Sequence, residues 1–145
     1  MSDPNCELPQ HRGTPEEIRR VLEDYKVVAV VGMSNKPVRP SYHVAEYLMS
    51  VGYTIIPVHP AADEILGLKC YPKLTDIPAE MGVEIVDIFR RPDLVMPHVE
   101  EAIEIGAKAV WFQEGVINNE AAARAKEAGL QVVQNLCMLK EHRIL

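Results

Sequence analysis

Short apolar runs alternate with stretches of helical periodicity along this chain of 145 residues. The first run, Val27–Val31, is unbroken and rich in β-branched residues, as is typical of a strand covered on both faces of a sheet. Four later runs have the same character and predict further strands. They occupy Thr54–Val58, residues 84–88, Ala109–Phe112 and residues 131–133.

Between these strands, apolar side chains three and four positions apart predict helices. One such segment places Val44, Ala45 and Leu48 on a single face. Three segments end at a glycine, which suits the left-handed conformation of a helix C-cap; these glycines are Gly52, Gly106 and Gly129. The alternation predicts an α/β fold, in which about five parallel strands form a doubly wound sheet with helices on both faces.

The chain is expected to form a single domain over residues 14–145, preceded by a flexible N-terminal arm at residues 1–13. Thr14, Pro15 and Glu17 give the first helix a sharp start, because Thr and Glu at this spacing form a capping box and proline suits the first helical position. Residues 60–81 carry turn signals and predict irregular or short helical structure.

Composition narrows the class of function. The net charge of −6 disfavours a nucleic-acid binder, since such binding depends on a basic surface. No apolar run approaches the roughly 20 residues that span a bilayer, and the polar N-terminus is unlike a signal peptide, so a cytoplasmic protein is expected. Cys6, Cys70 and Cys137 are odd in number and far apart, which disfavours a disulfide framework, and no His or Cys spacing predicts a metal site.

Candidate chemistry lies at the carboxyl ends of the strands, where sheets of this kind bind ligands. The first strand ends in "VVAVVGMSNKPVRPS", in which Gly32 allows a tight turn and a close approach of the backbone to a phosphate. Hydrogen-bonding groups, two cations and a helix start follow, and together they predict an anion site. These residues are Ser34, Asn35, Lys36, Arg39, Pro40 and Ser41. The alternative is an ordinary strand–helix loop of similar composition.

The second strand ends in "IIPVHPA", with no acidic residue before Asp63. An NAD site has an Asp or Glu at this point to hold the ribose, and its first loop carries three glycines where this chain has only Gly32. A standard NAD site is therefore disfavoured. A ligand with additional phosphate charge suits a site without this carboxylate.

The third strand is followed directly by Arg90 and Arg91, whose planar guanidinium groups suit phosphate, although solvated surface charge explains them equally well. Catalytic groups are sparse. His59 has no serine or cysteine beside it, and Cys137 in "NLCML" is expected to be buried and inert.

Four stretches resemble the CoA-binding domain family, small single-domain proteins related to the CoA-binding region of the succinyl-CoA synthetase α subunit. They are "VAVVGMSNKPVRPSYHVAEYLMSVGY", "IIPVHPAADEILGLKCYP", "DIFRRPDLVMPHVEEAIEIGAKAVWFQEGVINNEAA" and "AKEAGLQVVQNLCMLKE". The resemblance covers about residues 14–141. It implies a Rossmann-like fold that binds coenzyme A rather than NAD.

The resemblance also implies which residues touch the ligand, since in the family the first loop cradles the CoA phosphates and the turns after the next three strands contribute contacts. Carried over to this chain, the contacts are Gly32, Ser34, Asn35, Lys36, Arg39, His59, Pro60, Phe89, Arg90, Pro92, Gln113 and Gly115. His59 replaces a commoner asparagine, so the detail of that contact is expected to differ. The phosphohistidine chemistry of the synthetase lies outside the matching part.

The expected function is therefore non-catalytic binding of CoA or an acyl-CoA, alone, beside a partner enzyme or in a homo-oligomer. Two alternatives stay open at this point: an NADP-dependent oxidoreductase-like protein, and an interaction module with a vestigial pocket. A mixed disulfide between CoA and Cys70 or Cys137 is a related possibility.

Overall fold

The structure, a computed structural model, describes residues 12–145. Apolar runs form the strands and the periodic segments form the helices, close to the bounds that the sequence predicts. The strands are β1 (Val27–Val31), β2 (Thr54–Val58), β3 (Glu64–Ile65), β4 (Leu68–Lys69), β5 (Ile85–Ile88), β6 (Ala109–Phe112) and β7 (Gln131–Gln134). The α-helices are α1 (Pro15–Asp24), α2 (Pro40–Ser50), α3 (Val95–Glu104), α4 (Asn119–Glu127) and α5 (Met138–Arg143).

Five strands form one parallel sheet in the order β2-β1-β5-β6-β7. The chain adds β2 on one side of β1 and then crosses back to add β5 on the other side. The strand order therefore reverses between β1 and β5, and at such a point the loops at the carboxyl ends diverge and leave a crevice. The predicted doubly wound α/β fold is confirmed.

Both faces of the sheet are covered, because successive side chains of a strand point to opposite faces. Ala29 and Val31 pack in the cluster that contains the buried residues of α3 and α4. Val28 and Val30 pack in the cluster that contains those of α1, α2 and α5. Trp111 is fully buried in the second cluster, and its indole N–H donates to the carbonyl of Leu136 at 2.8 Å.

Helix α1 begins with the capping box that the sequence predicts. The hydroxyl of Thr14 accepts from the backbone N–H of Glu17 at 3.1 Å, and the Glu17 carboxylate accepts from the Thr14 N–H at 3.2 Å. Of the expected arm, Arg12 lies beside β7, where its carbonyl accepts from the N–H of Gln134 at 3.3 Å. Residues 1–11 lie outside the described part, so the arm and the domain boundary stay predictions.

The segment after β2 holds structure that periodicity did not reveal. β3 and β4 pair as an antiparallel hairpin, joined by Leu66 and Gly67 with φ of 55° and 72°. Two residues per strand are too few to carry an alternating pattern, so the sequence did not predict this hairpin. The glycine turn and two short 3₁₀ helices, Leu74–Asp76 and Ala79–Met81, match the expected irregular or short helical structure. No helix within residues 12–145 is long and apolar enough to span a membrane.

Candidate functional site

The loop after β1, residues 32–39, lies at the reversal of strand order, between the loops that follow β2 and β5. Gly32 donates its N–H to the carbonyl of Val58 at 3.1 Å and has a φ of +78°. A Cβ at this position would overlap the carbonyl oxygen of Phe89 and lie 3.0 Å from Cδ of Arg90. Glycine is therefore needed here both for its backbone conformation and for the close approach of the first and third loops.

Hydrogen bonds within the first loop hold its shape. The N–H of Ser34 donates to the hydroxyl of Ser41 at 3.0 Å, and the N–H of Lys36 donates to the hydroxyl of Ser34 at 3.1 Å. Ser41 is buried, so its side chain ties the loop to α2. The N–H groups of Met33 and Asn35 make no hydrogen bond with any described residue. Because Met33 is fully buried and Asn35 is exposed, the loop keeps the N–H of Asn35 for an external acceptor.

The start of α2 contributes positive electrostatic potential beside the hydrogen-bond donors of the first loop. Arg39 is the N-cap residue but its side chain makes no capping hydrogen bond, and Pro40 occupies the first turn. The first turn contains no acidic residue. The partial positive charge of the helix N-terminus is therefore not neutralised by this helix's own side chains, which favours an anion beside the loop.

A cavity of about 340 Å³ opens between the first loop and the loop after β2. No acidic side chain of the described residues lines it. The residues that line it are Gly32, Met33, Ser34, Asn35, Lys36, His59, Ala61, Ala62 and Ile65. Five of these were predicted from the sequence; Met33 and the three apolar residues after Pro60 were not, because Ala and Ile in an irregular segment give no chemical signal.

His59 stands at the end of β2, and its ring is held by the following turn. The N–H of Ala61 donates to Nδ1 of His59 at 3.0 Å. An asparagine makes the same bond through its side-chain oxygen when it closes an Asx-turn. The replacement of asparagine by His59 therefore keeps the turn, and Pro60 lies exposed within it.

The two arginines after β5 have different environments. Arg91 is exposed and pairs with Asp93 at 3.4 Å. Arg90 is half-buried, its Nε is fully buried, and that atom has no hydrogen-bond partner among the described residues. The charge of Arg90 also acts on the neighbouring His98: burial lowers the pKa of His98, and the positive charge of Arg90 lowers it further. Arg90 lies beside Gly32 and forms no ion pair with a described residue, whereas Asp93 already offsets the charge of Arg91, so an external anion is favoured at Arg90 rather than at Arg91.

The remaining residues of the third and fourth loops are engaged within the protein. Phe89 is half-buried beside the α1/α2 face, and the carbonyl of Pro92 accepts from the side-chain N–H of Asn118 at 2.8 Å. Gly115 donates its N–H to the side-chain oxygen of Asn135 at 2.8 Å. None of these residues lines the 340 Å³ cavity, and Gly115 follows β6, two strands away from β1.

Gln113 is also turned inward. It is buried, and its amide donates to Oδ1 of Asp87 at 2.6 Å. Asp87 lies within β5, fully buried, with its second oxygen unpaired among the described residues. Burial raises the pKa of Asp87 to about 8, although the Gln113 bond opposes this shift. Sequence reasoning missed this carboxyl; its signal is the acid inside the buried apolar run "IVDI".

Of the cysteines, Cys70 is buried next to the second loop, 3.7 Å from the carbonyl oxygen of His59. Burial raises the pKa of its thiol, which lowers its reactivity as a nucleophile. Cys137 is half-buried rather than fully buried, just before α5, and Cys6 lies outside the described residues. The described part of the chain contains no group of three or more His, Cys, Asp or Glu residues that could hold a metal ion.

The parallel sheet with a crevice at its switch point defines an α/β protein of the Rossmann-like type. Comparison with known families makes this specific: a model described as "CoA binding domain" matches residues 26–143. The chain therefore belongs to the CoA-binding domain family, which confirms the resemblance drawn from the sequence.

Individual relatives agree with this assignment. The chain is 38% identical to "Uncharacterized protein YneT" of Bacillus subtilis over 128 residues, covering 88% of this chain and 93% of that protein. A solved structure of a "hypothetical protein from Pyrococcus horikoshii OT3" is 46% identical, with a TM-score of 0.88 over 100% of this chain and 99% of the other. "Acetate--CoA ligase [ADP-forming] II" of Archaeoglobus fulgidus is 40% identical over 104 residues, which are 70% of this chain but only 15% of the ligase.

Proposed function

We propose that this protein binds coenzyme A, or an acyl-CoA, at the carboxyl edge of its sheet, with the phosphates held by the loop of residues 32–39. One observation carries the proposal. The crevice at the switch point offers an unpaired backbone N–H, a helix N-terminus and cationic side chains, and no carboxylate from residues 12–145 lines it. Membership of the CoA-binding domain family supports the same ligand.

The charge of the ligand matches the charge of the site. CoA carries a pyrophosphate and a 3′-phosphate, about four negative charges near neutral pH. Lys36, Arg39 and Arg90 form no ion pair with any residue from 12 to 145. Because the whole chain has a net charge of −6, this local group of unpaired cations is what attracts a polyanion.

The cavity is smaller than the ligand. At about 340 Å³ it accommodates a nucleotide-sized part of CoA, not the whole molecule. We place the remainder along the carboxyl edge, past Phe89, Arg90 and Pro92 and towards Gln113 and Gly115. Because Gln113 is buried and one of its amide N–H groups donates to Asp87, we assign it to holding the loop.

Binding is proposed to occur without catalysis by this chain. The relative that matches this chain over nearly its full length is itself a chain of similar size, whereas the chain corresponds to 15% of the ligase. The activity of the ligase is therefore not transferred to this protein. A role beside a partner enzyme, or in a homo-oligomer, is compatible with this proposal.

Titration calorimetry with CoA tests the proposal, and the two neighbouring arginines provide a matched pair of variants. Arg90→Ala is expected to weaken CoA binding about tenfold or more, since charge-assisted hydrogen bonds contribute about 1.5–3 kcal/mol. Arg91→Ala is expected to change the affinity less than about threefold, because exposed charges contribute little. Absence of binding at millimolar CoA, with folded protein, contradicts the proposal. Binding of NADPH but not CoA favours an oxidoreductase-like protein instead.

A further inference from the structure

We infer that His59 determines specificity at this site, as a fixed hydrogen-bond donor that selects a nucleotide with a phosphate on its ribose, such as the 3′-phosphate of CoA. The inference rests on the proposed function and adds to it the residue that distinguishes CoA from 3′-dephospho-CoA. It is carried by the hydrogen bonding of the ring and by the position of His59 at the end of β2.

The hydrogen bond from Ala61 decides which ring nitrogen carries the proton. Because the Ala61 N–H donates to Nδ1 of His59, Nδ1 is the acceptor and carries no hydrogen. A neutral imidazole then has its proton on Nε2. Nε2 has no partner among residues 12–145. His59 therefore offers a donor, and not an acceptor, to a ligand in the cavity that it lines.

The other polar groups around the cavity also favour an anionic oxygen. The ammonium group of Lys36 can only donate, and the N–H groups of Met33 and Asn35 have no described acceptor. A ribose hydroxyl is commonly held by a carboxylate, which accepts its proton. No carboxylate in the described part of the chain lines this cavity, so an unmodified ribose lacks its usual acceptor here.

The location of His59 identifies the ribose end of the ligand. In doubly wound sheets, the residue at the end of the second strand approaches the ribose, where an acid selects the hydroxyl and a cation accommodates a phosphate. His59 directly follows Val58, the last residue of β2. A ring N–H at this point, with Lys36 across the cavity, is suited to a phosphate attached to the ribose.

The test compares CoA with 3′-dephospho-CoA by titration calorimetry, for the unmodified protein and for His59→Asn. Asparagine can keep the bond from Ala61 through its side-chain oxygen but lacks the ring Nε2–H. We expect the unmodified protein to bind CoA about tenfold to a hundredfold more tightly than 3′-dephospho-CoA. In His59→Asn this preference should fall about tenfold, through weaker CoA binding, while the affinity for 3′-dephospho-CoA stays unchanged.

His43→Asn is the matched control, because His43 is exposed on α2 and does not line the cavity; it should retain the full preference. Equal binding of the two nucleotides by the unmodified protein overturns the inference, as does a His59→Asn variant that keeps the preference or weakens both ligands alike. In each of those cases the proposed function stands. If neither nucleotide binds to folded protein, the proposed function fails and the inference fails with it.

Discussion

Gly32 directly follows β1 and lies between the ends of β2 and β5 at the switch point. Replacing it with alanine, together with a control glycine elsewhere, should separate the effect of close packing from that of backbone conformation. Its N–H bonds to Val58 at the end of β2, while the N–H of Phe89 after β5 bonds to the carbonyl of Val31, one residue before Gly32, at 2.9 Å. An added Cβ would overlap the Phe89 carbonyl. Because the contacted atom belongs to the backbone and not to the end of a flexible side chain, the overlap requires the backbone of the first or third loop to shift.

Two contributions to the free energy of unfolding are expected from Gly32→Ala. A left-handed φ costs an L-residue about 1–2 kcal/mol. Forcing an extra carbon into a packed site costs a further 1–3 kcal/mol or so. Gly52→Ala provides the control, because Gly52 has a φ of +101° but a Cβ there meets no atom within 4 Å. Gly52→Ala should therefore lose only the conformational contribution. Gly32→Ala should lose about 1–3 kcal/mol more free energy of unfolding than Gly52→Ala does.

The assay is urea unfolding of both variants and of the unmodified protein, followed by far-ultraviolet circular dichroism and by the fluorescence of Trp111. The free energy of unfolding is obtained by linear extrapolation. CoA affinity, measured on folded protein, should fall in Gly32→Ala and not in Gly52→Ala, because only Gly32 lies in the first loop. If the two variants lose the same stability, the close approach of the first and third loops is refuted.

Three further predictions concern the buried carboxyl of Asp87, the buried thiol of Cys70 and the helix cap at Asn118. The pKa of Asp87 is raised to about 8 in the folded protein, so between about pH 4 and pH 8 Asp87 keeps its proton when folded but is ionised when unfolded. The free energy of unfolding should therefore fall as the pH rises through this range, by at most about 1.4 kcal/mol per pH unit. Asp87→Asn should flatten this fall in urea unfolding measured between pH 4 and pH 9, and an unchanged slope contradicts a neutral buried carboxyl. With Cys6 and Cys137 replaced by serine, Cys70 should react with a thiol reagent far more slowly in native protein than in urea, and equal rates would mean that the thiol is exposed. Asn118 caps α4 and bonds to Pro92, so Asn118→Ala should lower the free energy of unfolding by about 1–2 kcal/mol and Asn118→Ser by less, whereas no loss from either argues against the cap.

Several residues that line the cavity were foreseeable from sequence because their chemistry is visible in the residue type and its place after a strand. Gly32, Ser34, Asn35 and Lys36 were predicted in this way, and all four line the cavity together with His59. Side-chain direction was not foreseeable. The glutamine at position 113 follows a strand just as His59 does, yet it faces the buried carboxyl of Asp87 instead of the crevice.

The sequence by itself determined the strands of the main sheet and the helices between them, but not the β3–β4 hairpin, because helix and strand periodicity, the capping box at Thr14 and the glycine stops are local signals. Family membership was also readable from it. Only the tertiary structure decided which strands are neighbours, and hence that the loops after β1, β2 and β5 meet. It also distinguished Arg90, with a buried unpaired Nε, from Arg91, which pairs with Asp93. The burial of a side chain depends on residues distant in the chain, which two adjacent arginines in the sequence do not reveal.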